Sequence, residues 1–436
     1  MSRSRLLFIL YVLGVQSQAQ SVDSLVQEAF RNNPQVKSFT YQIQASQYKA
    51  ESSGAWPAPT LGLESSQIPV SSGNIVDGAV SNNLSLSQMF MLGGKLSAMS
   101  EVERKRGGIL EQNLRSFRVQ LRANVKMTYY QLWLLDRQIQ VQERILGLLQ
   151  NLVQVTRSSV LTNRLRQADL LSLQAELASE SARLSEKRSK RIGLLSRLNS
   201  FLARDNMSAV VTPDSLLPNG LPQETETVLR DRLRRSNPAL VAMDRMTEMN
   251  DAMIVSAKRD LIPDVMLQGM VMRMPNGMVL TGGARSVDAI QRSAAGMPMQ
   301  KTDWMYSIMV SITLPFAPWS AERSTAKTEE LRAANLGIEA DREGMQREMA
   351  ASLRTALSKY ATNDSLARKY ADEIVPLTTQ AADAQTMAYE NGLAPFSAVL
   401  DARRMELMKQ DDYFMVLMER QMAAVELEMM VGELLE

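Results

Sequence analysis

Few residue types able to bind or transform a ligand occur in this 436-residue chain. It has no cysteine and no histidine, which removes disulfides, thiolate and imidazole metal sites, cysteine nucleophiles and the commonest general base together. An enzyme would have to work with carboxylates, lysines or hydroxyls alone, so no catalytic residue and no cofactor is expected. What remains is methionine. Of the 29 methionines, six precede residue 219 and 23 follow it. Met266, Met270, Met272, Met274, Met278, Met297, Met299, Met305 and Met309 crowd between Pro263 and Phe316. Thioethers are soft ligands suited to Cu(I) and are the only soft donors available. Met270, Met272 and Met274 share one face of an alternating segment, and with Met278, Met297 and Met299 they form the candidate metal contacts. Elsewhere the plain alternative, flexible filler, holds: Met408, Met415, Met422 and Met429 recur every seven residues, and Met243, Met246, Met249 and Met253 recur at helical steps, as a coiled seam requires.

The elements that carry these residues follow from periodicity. Between Tyr306 and Phe316 apolar residues fall on every second position, the period of a strand with one apolar face. Trp304 and Tyr306 mark one end and Phe316 and Trp319 the other, as where a strand crosses a bilayer. The segment Val80 to Phe90 alternates in the same way. Each return strand leads into a long helical stretch; that from Ala98 to Val155 contains no proline and would be on the order of 85 Å long. Asn33-Pro34 and Asn237-Pro238 open matching halves, the mark of a pseudo-symmetric chain. The division reads as follows: 1–19 signal peptide; 20–212 first repeat, with strands 59–69 and 79–90 and helices 98–155 and 168–202; 213–222 linker; 223–436 second repeat, with strands 263–272 and 305–316 and helices 320–390 and 396–435. Arg3 and Arg5 before the apolar run Leu6 to Val15, then Ser17 and Ala19, form the secretory signal. No run reaches the roughly 20 apolar residues of a spanning helix. Entry into a membrane therefore requires a closed barrel. Four strands per chain fall short of the smallest membrane barrels, so several copies must share one. The fold class is an α+β membrane protein. With 49 basic and 47 acidic residues the charges nearly cancel, and nothing points to nucleic acid.

The mature chain resembles the outer-membrane efflux proteins of the TolC family. Pro376, Ala388-Tyr389-Glu390-Asn391-Gly392, Val399-Leu400-Asp401-Ala402-Arg403, Glu426-Leu427 and Gly432 carry the likeness, especially to the heavy-metal subgroup. The resemblance implies a homotrimer with a twelve-stranded β-barrel in the outer-membrane lipid of a Gram-negative bacterium, continued by a periplasmic α-barrel. Its closable tip would meet a periplasmic adaptor and an inner-membrane pump. Family members that are acylated carry an N-terminal cysteine, which this chain lacks, so lipid anchoring is not expected. The family can also place acids one helical turn apart at the pore constriction. The matching positions are Ala398 and Asp401 in the second hairpin and, through the internal repeat, Asp169 and Ser172 in the first. A ring of such acids would favour cations; the alternative is that they only complement a helix dipole. Arg157, Arg164 and Arg166 lie beside the same break as a candidate tip latch. Cu(I), Ag(I) or other heavy-metal cations are the expected cargo. A multidrug or type I secretion outlet of the same fold, and an exported coiled-coil scaffold with no pore, stand as alternatives. A soluble binding protein would need a pocket with convergent polar groups, for which the sequence offers no sign.

Overall fold

Long proline-free runs with apolar residues three and four apart form helices, and short alternating runs bounded by Pro, Gly and Asn form strands. The computed structural model describes residues 21–68, 70, 73–162, 166–216, 225–279 and 301–432. The signal peptide, residues 217–222 of the linker, Arg164, Met297, Met299 and the closing residues 433–436 lie outside the described residues. In chain order the elements are α1 (Val22–Asn32), α2 (Pro34–Gly54), β1 (Thr60–Ser66), β2 (Ser81–Phe90), α3 (Lys95–Leu161), α4 (Gln167–Leu202), α5 (Glu226–Ser236), α6 (Pro238–Arg259), β3 (Val265–Val279), β4 (Lys301–Ile312), α7 (Pro318–Lys369), a π-helical turn (Tyr370–Ile374), α8 (Val375–Glu390) and α9 (Phe396–Val431).

Several bounds differ from the sequence reading. Alternation predicts a strand running on to Phe316, but β4 stops at Ile312. Pro315 has no N–H to pair, and the last links are from Thr313 N–H to the Asp264 carbonyl (3.0 Å) and from Asp264 N–H to the Thr313 hydroxyl (2.8 Å). At its other end β3 outruns the predicted residue 272, and β4 begins at Lys301 rather than 305. An irregularity between Arg273 and Met278 absorbs Pro275 and lets Met278 pair with Thr302. β1 is shorter than 59–69 because Gln67 turns left-handed (φ 56°). The helix expected over 320–390 is interrupted by the π turn, where Tyr370 stacks on Tyr413 (6.5 Å) and Pro376, lacking an N–H, follows.

The chain divides into two compact units, each taking segments from both repeats. The first comprises Met1–Tyr41, Leu110–Ala242 and Asp341–Glu436. Here the three-and-four spacing of α3 buries Leu114, Leu121, Val125, Tyr129 and Leu132. Trp133 is fully buried, donates to the Pro213 carbonyl (2.9 Å) and meets Phe414 edge-on (5.8 Å). The two Asn-Pro signals prove equivalent in atomic detail. The buried Asn33 side chain accepts from Gln35 N–H (2.9 Å) and donates to the Phe201 carbonyl (3.1 Å); Asn237 accepts from Ala239 N–H (2.9 Å) and donates to the Met430 carbonyl (2.8 Å). Each asparagine thus caps a helix start and satisfies a carbonyl near the end of the hairpin's second helix, the two places where backbone groups lack partners.

Within this unit α3 and α9 run antiparallel, tied by the buried pair Lys126–Glu428 (2.7 Å) and by Gln138 donating to Asp411 (3.3 Å). Burial raises the Asp411 carboxyl above its usual range, offset only in part by the Lys187 charge and the Gln138 bond; Asp412 pushes the same way as burial, and Oδ1 has no partner among the described residues. A folded-state pKa above the unfolded one means that the native state holds its proton more tightly, so stability falls as pH rises through that window. Asp411→Asn is therefore expected to raise stability at neutral pH by about 1 kcal/mol. The gain should vanish in acid, below the ordinary aspartate range, as thermal melts at several pH values would show.

The second unit, Gln42–Ile109 with Met243–Ala340, holds the sheet. All four strands are antiparallel in the order β1-β2-β3-β4. The strand-to-helix joint needs two left-handed glycines, Gly93 (φ 67°) and Gly94 (φ 72°). A Cβ at Gly93 would lie 2.2 Å from the Ile262 side chain. Beside them the buried Lys95 ammonium pairs with Asp264 (2.8 Å), and Arg259 donates to the Gly94 carbonyl (2.6 Å). These contacts tie the start of α3 to the end of α6 and to the entry of β3.

Candidate functional site

The register of the sheet sorts every strand residue onto one of two faces. On one lie Leu61 and Leu63 of β1, Leu84 and Leu86 of β2, Leu267 and Val271 of β3, and Tyr306, Ile308, Val310 and Ile312 of β4. All are exposed, Leu63 to 80% and Ile308 to 72%. So broad an apolar face needs a cover that the described residues do not supply. Aromatic residues stand at both ends: Trp304 and Tyr306 at one, Phe316, Trp319 and the edge-on pair Trp56–Phe90 (5.7 Å) at the other. The opposite face carries Gly62, Glu64, Asn83, Ser85, Ser87, Gln268 and Ser307, interspersed with methionines. Among the described residues the outer edges of β1 and β4 have no strand beside them.

Of the predicted metal contacts, Met270 and Met272 fall together on the polar face of β3, half-buried; Met274, also half-buried, lies where the register becomes irregular. Met278 belongs to β3 by its backbone, beyond the irregularity; Met297 and Met299 lie outside the described residues. What periodicity did not reveal is the neighbourhood across strands. Met305 stands directly opposite Met272, and Met89 of the first repeat opposite Met266. The available signal was parity, since Met305 and Met309 alternate with Tyr306, Ile308 and Val310.

The residues expected at a closable tip belong to the first unit. The motif Ala388 to Gly392 ends α8: Asn391 donates through its side chain to the Met387 carbonyl (2.9 Å), Gly392 turns left-handed (φ 74°), and Leu393 N–H returns to the Ala388 carbonyl (2.8 Å). Tyr389 packs on Phe396 across the turn (5.3 Å). The hairpin is then locked by Arg403, which donates to Asp383 (2.6 Å) and to the buried Glu406 (2.9 Å), itself an acceptor from the Thr379 hydroxyl (2.8 Å). Arg404 bridges α9 to α4 through Glu176 (2.5 Å). Arg404 lies three residues beyond Asp401, and Glu176 four beyond Ser172, so that bridge sets Ser172 and Asp401 at nearly the same level of two parallel helices.

The two acids differ. Asp169, in the first turn of α4, accepts from Arg166 N–H (3.3 Å) and pairs with the Arg166 guanidinium (3.3 Å), so part of its role is the helix-start complement expected of such a residue. Within this chain Arg166 thus pairs at its own helix start. Asp401 lies beyond the first turn of α9, is exposed and makes no hydrogen bond or ion pair with a described residue; a helix-dipole role does not account for it. Ser172 is exposed and Ala398 half-buried. Arg157 is exposed on the last turns of α3.

The family model described as outer membrane efflux protein matches residues 25–203 and 229–433, nearly the two repeats. Among solved structures, a CusC protein studied for transmembrane channel formation is 17% identical, with 94% of this chain and 92% of that chain covered and a TM-score of 0.69. The open-state MtrE outer membrane channel of Neisseria gonorrhoeae is 17% identical over 95% of this chain and 89% of its own, with a TM-score of 0.70. The CmeC outer membrane channel of Campylobacter jejuni is 13% identical over 99% and 93%, with a TM-score of 0.70. These likenesses establish the fold. No curated protein matches the sequence.

Proposed function

Since the chain belongs to the outer membrane efflux protein family, we propose that it is the outer-membrane channel of a tripartite efflux system. In this reading it is a passive conduit that takes substrate from an inner-membrane pump through a periplasmic adaptor and releases it outside. The observation that carries the reading is the four-stranded sheet with one exposed apolar face and two open edges. In lipid every edge group must be paired, which only closure achieves. Three copies of the four strands close a twelve-stranded barrel, β4 of one beside β1 of the next, with the apolar face to lipid, the polar face to water and aromatic residues at both interfaces. The helical hairpins form its periplasmic continuation. Outer-membrane fractionation, a heat-sensitive trimer in detergent and ion currents in planar bilayers test it together; a monomer that passes no ions would overturn it.

At the tip, Asp401 and Asp169 from each copy line the constriction and favour cations over anions. Because Arg166 partly neutralises Asp169 while Asp401 has no such partner, Asp401→Ala is expected to reduce cation preference more than Asp169→Ala, and the double variant most. Reversal potentials in a salt gradient measure this, and unchanged selectivity in the double variant would sink the ring. A cation-selective exit suits heavy-metal cargo, Cu(I) and Ag(I) among it. Deleting the gene and screening copper, silver, zinc, dyes and detergents separates that cargo from drugs: sensitivity confined to metals supports it, and broad drug sensitivity refutes it.

A further inference from the structure

The methionines on the polar face are not scattered. Met89 stands opposite Met266, and Met272 opposite Met305. Met309 faces Gln268, which puts it one diagonal step from Met266 on one side and from Met270 on the other. Directly opposed Cβ atoms lie about 5 Å apart and diagonal neighbours about 7–8 Å, within reach of thioethers on three rotatable bonds. The line runs from the Met89–Met266 pair through Met309 and Met270 to the Met272–Met305 pair. From Met266 to Met272 it covers about 20 Å at roughly 3.4 Å per residue.

Packing does not explain the line. Its neighbours on the same face are Asn83, Ser85, Gln268, Ser307 and Ser311, not a core, and Met309 and Met89 are 47% and 37% exposed. The corresponding places on β1 and β2 are filled mostly by serine, threonine, glycine, asparagine and glutamate. Among the described residues no group of acids is arranged to hold a metal ion, so the thioethers are the donors this face offers. They are soft, uncharged and weak singly, which suits passing an ion on rather than keeping it.

We propose that this row of thioethers is a hand-over track for soft monovalent metal cations, Cu(I) and Ag(I), along the wall of the channel. It rests on the channel reading, because cargo meets this face only if it lines the lumen. The test uses the full-length channel in detergent, titrated with Ag(I) in thiol-free buffer. It is compared with a variant carrying Met266→Leu, Met270→Leu, Met272→Leu, Met305→Leu and Met309→Leu, swaps that conserve volume. A control carries Met408→Leu, Met415→Leu and Met422→Leu on the last helix. Ag(I) binding is expected in the unsubstituted channel and the control, and lost in the strand variant, while all three pass potassium with equal conductance. Should the strand variant fail to assemble, Met272→Leu with Met305→Leu breaks the track at one opposed pair and is expected to weaken Ag(I) binding in the same titration. Equal currents with Ag(I) binding unchanged by the strand substitutions overturn the track alone; absence of current from the unsubstituted channel overturns the channel reading and the track with it.

Discussion

Ile308→Arg is expected to remove the protein from the outer membrane, whereas Ser307→Arg, one residue away, leaves it there. Ile308 lies on the apolar face, 72% exposed, and Ser307 on the polar one, opposite Met270. If the apolar face meets lipid, an arginine near the midplane costs roughly 2–4 kcal/mol in each copy, and a three-copy barrel bears it three times. An arginine at 307 points into water and costs almost nothing by comparison. Because neighbouring residues on a strand point to opposite sides, the pair isolates the facing of the side chain from every other property of the position. The measurement is the amount of heat-sensitive trimer in outer-membrane fractions. Equal loss from both variants would mean that the sheet is packed on both faces. Equal tolerance would place the apolar face against something other than lipid.

That facing was legible in the sequence because a period of two needs only one strand to be seen. Leu84 and Leu86, like Ile308 and Val310, declared their side locally. Register was not legible, since the sequence between Met274 and Lys301 contains no count of how many residues the bulge after Arg273 absorbs. For that reason Met270 and Met272 were visible as a pair on one strand, while their neighbours Met305 and Met309 on the next were not. The stop of β4 was misread for a related reason: Leu314 and Phe316 keep the alternation after Pro315 has ended the pairing. The internal repeat was visible through Asn33-Pro34 and Asn237-Pro238, whose side chains reach equivalent carbonyls at Phe201 and Met430. The family resemblance pointed to Asp169 and Asp401 but not to the difference between them. Arg166, three residues before Asp169, stands where a side chain can pair with it on one helix start.

Long-range ion pairs leave no local signal, and the strongest stability prediction comes from one of them. Lys126 on α3 and Glu428 on α9 are 5% and 10% exposed, with Nζ 2.7 Å and 3.0 Å from the two carboxylate oxygens. Asp23 on α1 is a second acid at 3.8 Å, but it is 72% exposed and hydrated. Glu428→Ala therefore leaves a buried ammonium with one distant, well-solvated counter-charge, and is expected to destabilise the helical unit by about 3–5 kcal/mol. Lys126→Ala should cost a similar amount by stranding the carboxylate. Replacing both at once, Lys126→Met with Glu428→Leu, is expected to recover most of the loss, because two apolar side chains carry no desolvation penalty. Unfolding followed by helical circular dichroism gives the three values and the coupling between them. Tyr130 supplies an independent readout: burial first, then the Glu428 charge, holds its phenol well above the usual tyrosine range, while Tyr129 beside it is raised to about 12 by burial alone. Removing Glu428 should lower the Tyr130 titration and leave that of Tyr129 in place, seen as phenolate absorbance in alkali. If Glu428→Ala melts with the double variant, water has reached Lys126 and the pair is not the dry tie between α3 and α9 that its burial indicates.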